Sequence, residues 1–510
     1  MKFLLLFICT LFTWVSYTQV PRWSVYEIAL TSTAVRPNPY VETQLTATFV
    51  GPKGIKITVR GFWDGGQTFR IRFAPTEIGI WKYTTNSNDP SLHNQKGQLT
   101  CTSPLPQAHG FVRRDEAHPY HFVRDDGSRY LMLGTTYYGL ISSALVNKSY
   151  RATIDSCLKY GINKIRFRIN VKICQNEINP GPCSSVWGQD HDHLNLTHLR
   201  VVDELLTYMA ERNMVADLMP FDSQEKFYGT DAQDLRYLRY VLARFAAYPN
   251  VIWCLTNEFQ RVPNKPRAFW NTVGNIVRAE DPYIANGMLL RPLSIHPFGG
   301  ESQGALFQWF DASWPSHIIL QSGRFLPADT LNLITLRNRR HQMPIVNDEF
   351  GYFDDDIRQW KEGYSQMVHR QALWSIYMAG GHATIGDKAT YPDGRPYQST
   401  VWHSRNEYYD LLHLSTLFSQ KGLEYWKMEP ANDLVTGRRA YALAYKDAAG
   451  IVYAAVGGEV TLHLSVGNYT AWLYNPRTGQ EKSLSPLIGN KPQTVTFPSN
   501  EDWVMYYKKQ

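Results

Sequence analysis

The run Val251-Ile252-Trp253-Cys254-Leu255-Thr256-Asn257-Glu258 is apolar almost to its end, where it changes to an amide and a carboxylate. Residues 234–248 before it carry apolar side chains every three to four positions and predict an amphipathic helix that ends at Pro249. A helix followed by such a short apolar run is typical of a parallel sheet buried on both faces. In (β/α)₈ barrels, the catalytic side chains follow strands of this kind. We therefore expect Asn257 and Glu258 at a strand mouth, with capping of the next helix as the alternative role.

A second run has the same form. Pro344-Ile345-Val346-Asn347-Asp348-Glu349-Phe350-Gly351-Tyr352 is an apolar strand that opens into two carboxylates and a glycine turn. Glu349 follows Glu258 by 91 residues, which leaves room for about three βα units of ~30 residues each. Two glutamates so placed face each other across a barrel mouth. Retaining glycoside hydrolysis requires such a pair, with the two carboxyl groups about 5–5.5 Å apart. Since adjacent strand residues point to opposite faces, only one of Asp348 and Glu349 is expected in the site.

Alternating strand and helix patterns extend from residue 110 to residue 425. The eight strand candidates cover residues 130–134, 164–170, 214–222, 251–258, 288–297, 317–322, 344–349 and 381–385. Eight strands over a few hundred residues fit an α/β fold of the (β/α)₈ TIM-barrel type with insertions. Residues 108–425 are therefore predicted to be the catalytic barrel.

Both flanks of the barrel consist of short alternating runs separated by turn residues. This spacing predicts an immunoglobulin-like β-sandwich over residues 19–107 and a second β-sandwich over residues 426–510. A chain of 510 residues is long enough for two to three domains. The predicted organisation is therefore a barrel between two β-sandwich domains, after an N-terminal segment of residues 1–18.

Composition limits the possible partners. The net charge of +7 arises from 52 basic and 45 acidic residues without a long basic run, so no nucleic-acid partner is expected. The pI near 8.9 permits acidic polysaccharides as partners. The aromatic fraction of 14% favours a carbohydrate partner weakly, because sheet-rich domains also collect aromatic residues. No Cys/His cluster has zinc-site spacing, and neither a metal nor a cofactor is expected.

The N-terminus reads as a secretory signal peptide. Met1-Lys2 precedes an apolar run, and small residues near Ser16 resemble a cleavage region. The apolar run is short for a membrane span, so we expect a soluble exported protein, periplasmic or extracellular. Cys174 and Cys183 flank one loop and are the pair expected to form a disulfide in an oxidising compartment. The sequence does not indicate an oligomeric state.

The barrel sequence resembles the apiosidase-like family of retaining barrel glycosidases. The resemblance covers most of residues 110–510 and is carried by Gly134-Thr-Thr136, Tyr248-Pro-Asn-Val-Ile-Trp253, Ser294-Ile-His-Pro297 and Gly381-His-Ala-Thr384, together with the two glutamate runs. In the family the first strand usually ends in Gly-Asp-Thr, whereas Thr135 holds the middle position here. This departure removes an acidic group from the site and leaves the sugar unassigned.

Both flanks also resemble domains that accompany such barrels. Gly61-Phe-Trp-Asp-Gly-Gly66 and Pro75-Thr-Glu-Ile-Gly79 are similar to an N-terminal sandwich module that commonly precedes glycosidase barrels in exported bacterial proteins. Trp63 or Trp81 could bind a sugar ring, with a place in the core of this module as the alternative for either tryptophan. The C-terminal flank resembles the sandwich found after the same barrels and is interpreted as a packing partner of the barrel.

The two glutamates are assigned different roles. Glu258 is expected to act as acid and then base, and Glu349 as nucleophile. The acid must hold its proton near neutral pH, and both partial burial and the charge of Glu349 would raise its pKa. The resemblance to the family implies that Asn257 binds the hydroxyl next to the anomeric carbon.

Further residues are predicted around this pair. His296 is expected to orient a carboxylate or to contact substrate, with a purely structural role as the alternative. Arg168 and Asn170 end the second strand, where an arginine would keep Glu349 ionised, and Tyr352 would hydrogen-bond the nucleophile. The residues predicted for the cleft wall are Gln321, Trp309, His382 and Trp402.

These residues predict a secreted retaining glycosidase that cleaves the O-glycosidic bonds of a plant or algal polysaccharide. The alternative from a different functional class is a non-catalytic carbohydrate-binding barrel. A third possibility is an inverting or transglycosylating enzyme, and a carboxyl separation of about 6.5–9.5 Å would indicate inversion. The sequence specifies neither the sugar, nor the linkage, nor exo or endo action, nor the role of the two flanking domains.

Overall fold

The computed structural model describes most of the chain. The described residues are 18–146, 150–170, 185–223, 228–284, 290–299, 306–322, 326–352, 365–386 and 407–510. The predicted signal peptide, the Cys174–Cys183 disulfide and Trp402 fall outside these residues. Within them, none of the helices has the length and apolar character needed to cross a bilayer.

A seven-stranded sheet forms the N-terminal part of the described chain. Its strands are β1 (Thr18–Pro21), β2 (Tyr26–Thr31), β3 (Leu45–Val50), β4 (Lys56–Trp63), β5 (Thr68–Phe73), β6 (Gly79–Ser87) and β7 (Lys96–Thr102), with helix α1 (Pro39–Glu42) before β3. The first half of β4 pairs with β3 and the second half with β5. Residues 61–63 therefore continue β4. The sheet bends over a core in which the Phe49 and Phe73 rings stack at 3.9 Å.

A small antiparallel sheet closes the bottom of the barrel. It contains β8 (Val112–Arg114), β9 (Phe122–Arg124) and β10 (Arg129–Tyr130). Phe122 and Tyr130 pack in one cluster with Val215, Ile252 and Val346 from the barrel strands. Because Tyr130 pairs with Phe122 in this sheet, the first barrel strand begins at Leu133, three residues later than predicted.

Eight parallel strands form the central sheet, and the predicted TIM-barrel fold is confirmed. They are β11 (Leu133–Thr136), β12 (Lys164–Arg168), β13 (Val215–Met219), β15 (Val251–Cys254), β17 (Leu293–Ser294), β18 (Ile318–Leu320), β19 (Ile345–Tyr352) and β20 (His382–Gly386). Strands β14 (Phe221–Asp222) and β16 (Thr256–Asn257) extend the third and fourth barrel strands and pair with each other. The order β17-β15-β13-β12-β11-β20-β19-β18 places each strand beside its neighbours in sequence, as expected for successive βα units.

Serine side chains join the two ends of this order, between β17 and β18. Ser316 N–H donates to Leu293 O over 2.9 Å, and Leu293 N–H donates to Ser316 Oγ over 2.7 Å. The Ser294 hydroxyl donates to His317 O over 2.9 Å. These contacts satisfy backbone groups where β17 is only two residues long, so the ring of strands closes.

Helices surround the barrel. They are α2 (Leu140–Val146), α3 (Tyr150–Lys159), α4 (Leu196–Ala210), α5 (Asp231–Phe245), α6 (Arg267–Glu280), α7 (Ala328–Asn338), α8 (Gln366–Met378) and α9 (Glu407–Gln420). Helix α5 begins three residues before its predicted start, because Thr230 and Gln233 form a capping box there. Short 3₁₀ helices are found at Pro52–Gly54, Phe259–Arg261, Arg339–His341, Tyr425–Lys427 and Asn432–Leu434.

The C-terminal part is all β, as the sequence patterns indicate. Its strands are β21 (Glu429–Pro430), β22 (Val435–Thr436), β23 (Ala440–Tyr445), β24 (Ala449–Ala454), β25 (Glu459–Leu462), β26 (Asn468–Tyr474), β27 (Glu481–Ser483), β28 (Leu487–Ile488), β29 (Gln493–Thr496) and β30 (Trp503–Lys509). One sheet has the order β21-β23-β24-β30-β26-β27, with β28 paired to β26, and the other has the order β22-β25-β29.

Buried ion pairs connect both flanks to the barrel. On the N-terminal side, Arg72 Nη1 lies 2.5 Å from Asp203 Oδ1, and Arg244 Nη1 lies 3.0 Å from Asp64 Oδ1. On the C-terminal side, the Arg370 guanidinium binds both carboxylate oxygens of Asp502 at 2.8 Å. The Arg370–Asp502 pair is bidentate, so it fixes the orientation as well as the distance between the C-terminal flank and the barrel.

Candidate active site

Glu258 follows β16 in an unusual backbone conformation. Its φ of 43° and ψ of 58° lie in the left-handed region, which costs a non-glycine residue about 1–3 kcal/mol. Phe259 N–H donates to His296 O at 3.2 Å and so ties this turn to the segment after β17. Strain that the surrounding structure maintains at a strand end is a feature of functional sites.

The Glu258 carboxylate is held between two donors and is 7% exposed. Gln321 Nε2 donates to Oε1 over 3.2 Å, and Arg261 Nη1 donates to Oε2 over 2.9 Å. Burial and the charge of Glu349 raise the pKa of Glu258, while Gln321 and Arg261 partly oppose that rise. Gln321, which the sequence analysis predicted for the cleft wall, therefore contacts Glu258 directly.

Glu349 lies on β19, where the pairing with β20 changes register between Asn347 and Phe350. Because this irregularity breaks the strict alternation of side chains, both Asp348 and Glu349 reach the same guanidinium. Asp348 Oδ2 lies 3.5 Å from Arg166 Nη1, and Glu349 Oε2 lies 3.4 Å from Arg166 Nη2. The expectation that only one of these neighbouring carboxylates faces inward was wrong.

Arg166, rather than Arg168, is the arginine that contacts Glu349. Arg166 is fully buried, and its Nε also donates to Thr136 Oγ1 over 3.1 Å. Arg168 lies one pleat further along β12 and pairs instead with Asp222. The predicted role of Arg168 is therefore corrected, because residue 166 has the depth in the barrel at which Glu349 can be reached.

Asn257 is oriented by two donors. Its Oδ1 accepts from the Tyr138 hydroxyl at 3.3 Å and from Arg166 Nη1 at 3.5 Å. Tyr138 also accepts from Arg166 Nη2 at 3.2 Å, and burial together with Glu349 raises its pKa far above the usual range, so it stays neutral. The amide oxygen of Asn257 is thereby fixed towards Arg166.

His296 is fully buried and lies two residues after β17, the fifth barrel strand, which ends at Ser294. Its Nε2 lies 3.6 Å from Glu349 Oε2. Burial, with Arg166 nearby, holds the pKa of His296 well below its usual value, so the ring is neutral at neutral pH. A neutral imidazole can donate one hydrogen bond to a carboxylate without adding a charge.

The remaining predicted residues have varied positions. Asn170 is buried after β12, and neither its amide oxygen nor its nitrogen has a partner among the described residues. Trp309 is 3% exposed and packs on Phe259 and Trp314, so it lies behind the site instead of forming its wall.

His382 begins β20 and its Nε2 lies 3.2 Å from Tyr120 O, which places it at the opposite end of the barrel. The backbone of Tyr352 pairs with Gly386.

A charged layer lies beneath Arg166. Lys164 Nζ lies 2.8 Å from Asp217 Oδ2 and 2.7 Å from Asp348 Oδ1, and all three side chains are buried. A Cβ on Gly134 would lie 2.6 Å from Lys164 Cε, so a glycine is needed for the lysine stem to cross the barrel. The layer fixes Asp348 and, through it, Arg166.

The described residues contain no group of three or more His, Cys, Asp and Glu side chains arranged for a metal ion. The strand ends provide two carboxylic acids in unlike surroundings, a neutral histidine, an arginine and an oriented amide. Such a set can donate a proton, supply a nucleophile and bind hydroxyl groups.

Known structures share this architecture. A protein from Bacteroides vulgatus assigned as a glycoside hydrolase is 21% identical, with a TM-score of 0.75 over 97% of this chain and 100% of that one. A family 5 glycoside hydrolase from the same organism is 15% identical, with a TM-score of 0.63 over 80% of this chain and 94% of that one. At these identities the likeness establishes the fold. The chain matches no curated protein sequence.

Two family models match the sequence. Residues 19–88 match a domain of unknown function, DUF5060. Residues 116–405 match the apiosidase-like catalytic domain, a span that contains both glutamates and every barrel strand and exceeds half of the chain. The chain therefore belongs to the apiosidase-like family.

Proposed function

We propose that this protein is a secreted retaining glycoside hydrolase that cleaves O-glycosidic bonds of a plant or algal polysaccharide. The observation that carries the proposal is the unlike setting of two glutamates. Burial and Glu349 raise the pKa of Glu258, whereas Glu349 lies beside the Arg166 guanidinium. Carboxyl groups whose environments differ in this way take the acid and nucleophile roles in glycosidases.

In the first step, Glu349 attacks the anomeric carbon while protonated Glu258 donates its proton to the departing oxygen. A covalent glycosyl–enzyme ester and a neutral leaving alcohol result. In the second step, the Glu258 carboxylate removes a proton from water, the water oxygen attacks the anomeric carbon, and Glu349 departs as carboxylate. Arg166 stabilises Glu349 as a carboxylate before and after the cycle.

Asn257 supports both steps. Its Oδ1 is occupied by Tyr138 and Arg166, so its NH₂ group is the part that can donate to a substrate hydroxyl. A hydrogen bond to the hydroxyl next to the anomeric carbon strengthens as the oxocarbenium-like transition state forms. Its orientation by two buried partners means that little reorganisation is needed when substrate binds.

Export is part of the proposal and rests on the sequence of residues 1–18. We also propose that the all-β flanks are β-sandwich modules that hold the barrel through buried ion pairs such as Arg370–Asp502. Neither flank supplies a residue to the set of side chains described around Glu258 and Glu349.

The test compares wild type, Glu349→Gln, Glu258→Gln and the surface control Glu501→Gln on a panel of plant and algal polysaccharides. We expect losses of at least about 10³-fold for the two site variants and an unchanged rate for the control. The anomeric configuration of the first product, followed by NMR, distinguishes retention from inversion. Equal activity of wild type and Glu349→Gln would refute the nucleophile assignment, and binding without hydrolysis in wild type would favour a carbohydrate-binding barrel.

A further inference from the structure

A polar cavity of about 520 Å³ lies between the N-terminal sheet and the barrel. One wall is the end of β4, including Trp63, the second is α1 with the residues after it, and the third is the outer face of α5. The Tyr240 hydroxyl of α5 donates to Trp63 O over 2.9 Å. This contact joins two of the walls directly, so the cavity has a defined shape.

The charges around this cavity are unbalanced. Arg60, Arg236 and Arg239 are in its described lining, which includes no acidic residue. Among the residues that the structure describes, two carboxylates contact these arginines from outside the lining: Glu280 lies 2.9 Å from both Arg60 and Arg239, and Asp192 pairs with Arg236. Within this described set one positive charge is left over. The three arginine side chains are 31–43% exposed, so they remain accessible to a ligand.

Two hydroxyl groups of the cavity lack a hydrogen-bond partner in the described part of the chain. The hydroxyls of Tyr40 and Thr43 are buried without a hydrogen bond to any residue that the structure describes. Tyr40 is 7% exposed, and its ring meets the Tyr240 ring edge-on at 5.5 Å. A buried hydroxyl without a partner costs free energy that a bound polar group would recover.

We propose that this cavity binds an acidic sugar unit, through a uronate carboxylate or a sulfate ester. Arginine binds planar and tetrahedral oxyanions with paired hydrogen bonds, the aromatic walls can contact the C–H face of a sugar ring, and the two hydroxyls can bind ring hydroxyls. The site extends the proposed function by indicating an acidic polysaccharide, but binding here requires no hydrolysis.

The position of α5 relates this cavity to the barrel mouth. In a βα unit the helix returns antiparallel to its strand, so its first turn lies at the carboxyl end of the strands. Ala232 and Arg236 in the first half of α5 line the cavity. A polymer bound here therefore lies on the side of the barrel that carries Glu258.

Binding should be measured with full-length Glu349→Gln protein, so that polymers stay intact, and repeated with wild type. The probes are polygalacturonate, dextran sulfate and neutral dextran at low salt and in 150 mM NaCl. We expect an acidic polymer to bind, dextran not to bind, and salt to weaken binding through screening. Preference for polygalacturonate would identify a carboxylate ligand, and preference for dextran sulfate a sulfate ester.

Arg60→Gln/Arg236→Gln removes two of the three cavity arginines and leaves the Arg239–Glu280 pair in place. We expect it to weaken acidic-polymer binding by about tenfold or more, whereas the surface control Arg337→Gln/Arg340→Gln should not. Tyr40→Phe leaves charge and packing intact and should also weaken binding without lowering thermal stability. Failure of both acidic polymers to bind, or equal weakening in the control, would overturn the proposed binding site. The proposed hydrolase function would be unaffected by that result if wild type hydrolyses neutral polysaccharides.

Discussion

Nη2 of Arg166 lies 3.4 Å from Oε2 of Glu349, a contact that crosses the barrel interior from β12 to β19. These strands are not neighbours in the sheet, so the arginine links the proposed nucleophile to Asn257 on β16 and to Tyr138 after β11. This one buried side chain contacts groups from three other strand ends. Arg166 and Arg168, the two arginines of β12, should therefore differ in their importance for activity.

Arg166→Lys should lower kcat by about 10²-fold, because a lysine cannot supply the forked donors that reach Glu349, Asp348 and Asn257 together. Arg168→Lys, whose native partner is Asp222, should have a much smaller effect. Steady-state kinetics on the substrate found in the polysaccharide panel would measure both, with thermal melting as a check on folding. A loss in Arg168→Lys as large as that in Arg166→Lys would contradict the assignment.

Arg261→Gln should move the alkaline limb of the kcat/KM profile to higher pH. Arg261 lies 2.9 Å from Glu258 and favours its ionised form, so its removal should raise the pKa of the acid further. In the proposed first step Glu258 must be protonated, so activity would then persist to higher pH. Arg337→Gln removes an equal charge from the exposed face of α7 and is the control. A limb that moves to lower pH, or equally in both variants, would exclude Glu258 as the acid.

The sequence allowed the barrel to be predicted because each strand is a short apolar run between helices. It was less informative about which side chains meet at the strand ends. In Lys164-Ile-Arg-Phe-Arg168 the three basic residues share one face of the strand because side chains alternate. The sequence alone favoured Arg168, the last of them, as the partner of Glu349. The depth of Glu349 in the barrel, which selects Arg166, depends on the irregular pairing of β19, and a local pattern does not contain that information.

Other misplacements have similar causes. His382 was predicted for the cleft wall, but that end of β20 faces the small sheet formed by β8 to β10. Trp309 is in the proper region of the chain, yet its ring packs beneath the 3₁₀ turn that follows Glu258. Direction along a strand and depth in the packing are tertiary properties, and so residue type and position in the chain were insufficient.

Because the backbone of Glu258 is left-handed, we expect glycine at this position to be more stabilising than alanine. Glu258→Gly and Glu258→Ala both remove the carboxylate, but only alanine retains the penalty of a positive φ. The glycine variant should therefore be more stable than the alanine variant by roughly 1 kcal/mol, opposite to the order expected inside a helix or strand. Urea unfolding of the two inactive proteins would measure the difference. Equal stability, or a more stable alanine variant, would show that the turn carries no strain.

Lys164→Met should destabilise the barrel by about 3–5 kcal/mol, because Asp217 and Asp348 would be left buried without their shared cation. Burial already raises the pKa of Asp217 in the native protein. An acid with a raised folded-state pKa binds more protons in the folded state, so stability falls as pH rises above the unfolded-state value towards the folded one. The loss should therefore be larger at pH 8 than at pH 5 in urea unfolding. Lys164→Met/Asp217→Leu removes both charges of one pair and should recover part of the stability. A loss of stability in Lys164→Met that does not depend on pH, with no recovery in the double variant, would mean that Lys164 contributes through packing alone.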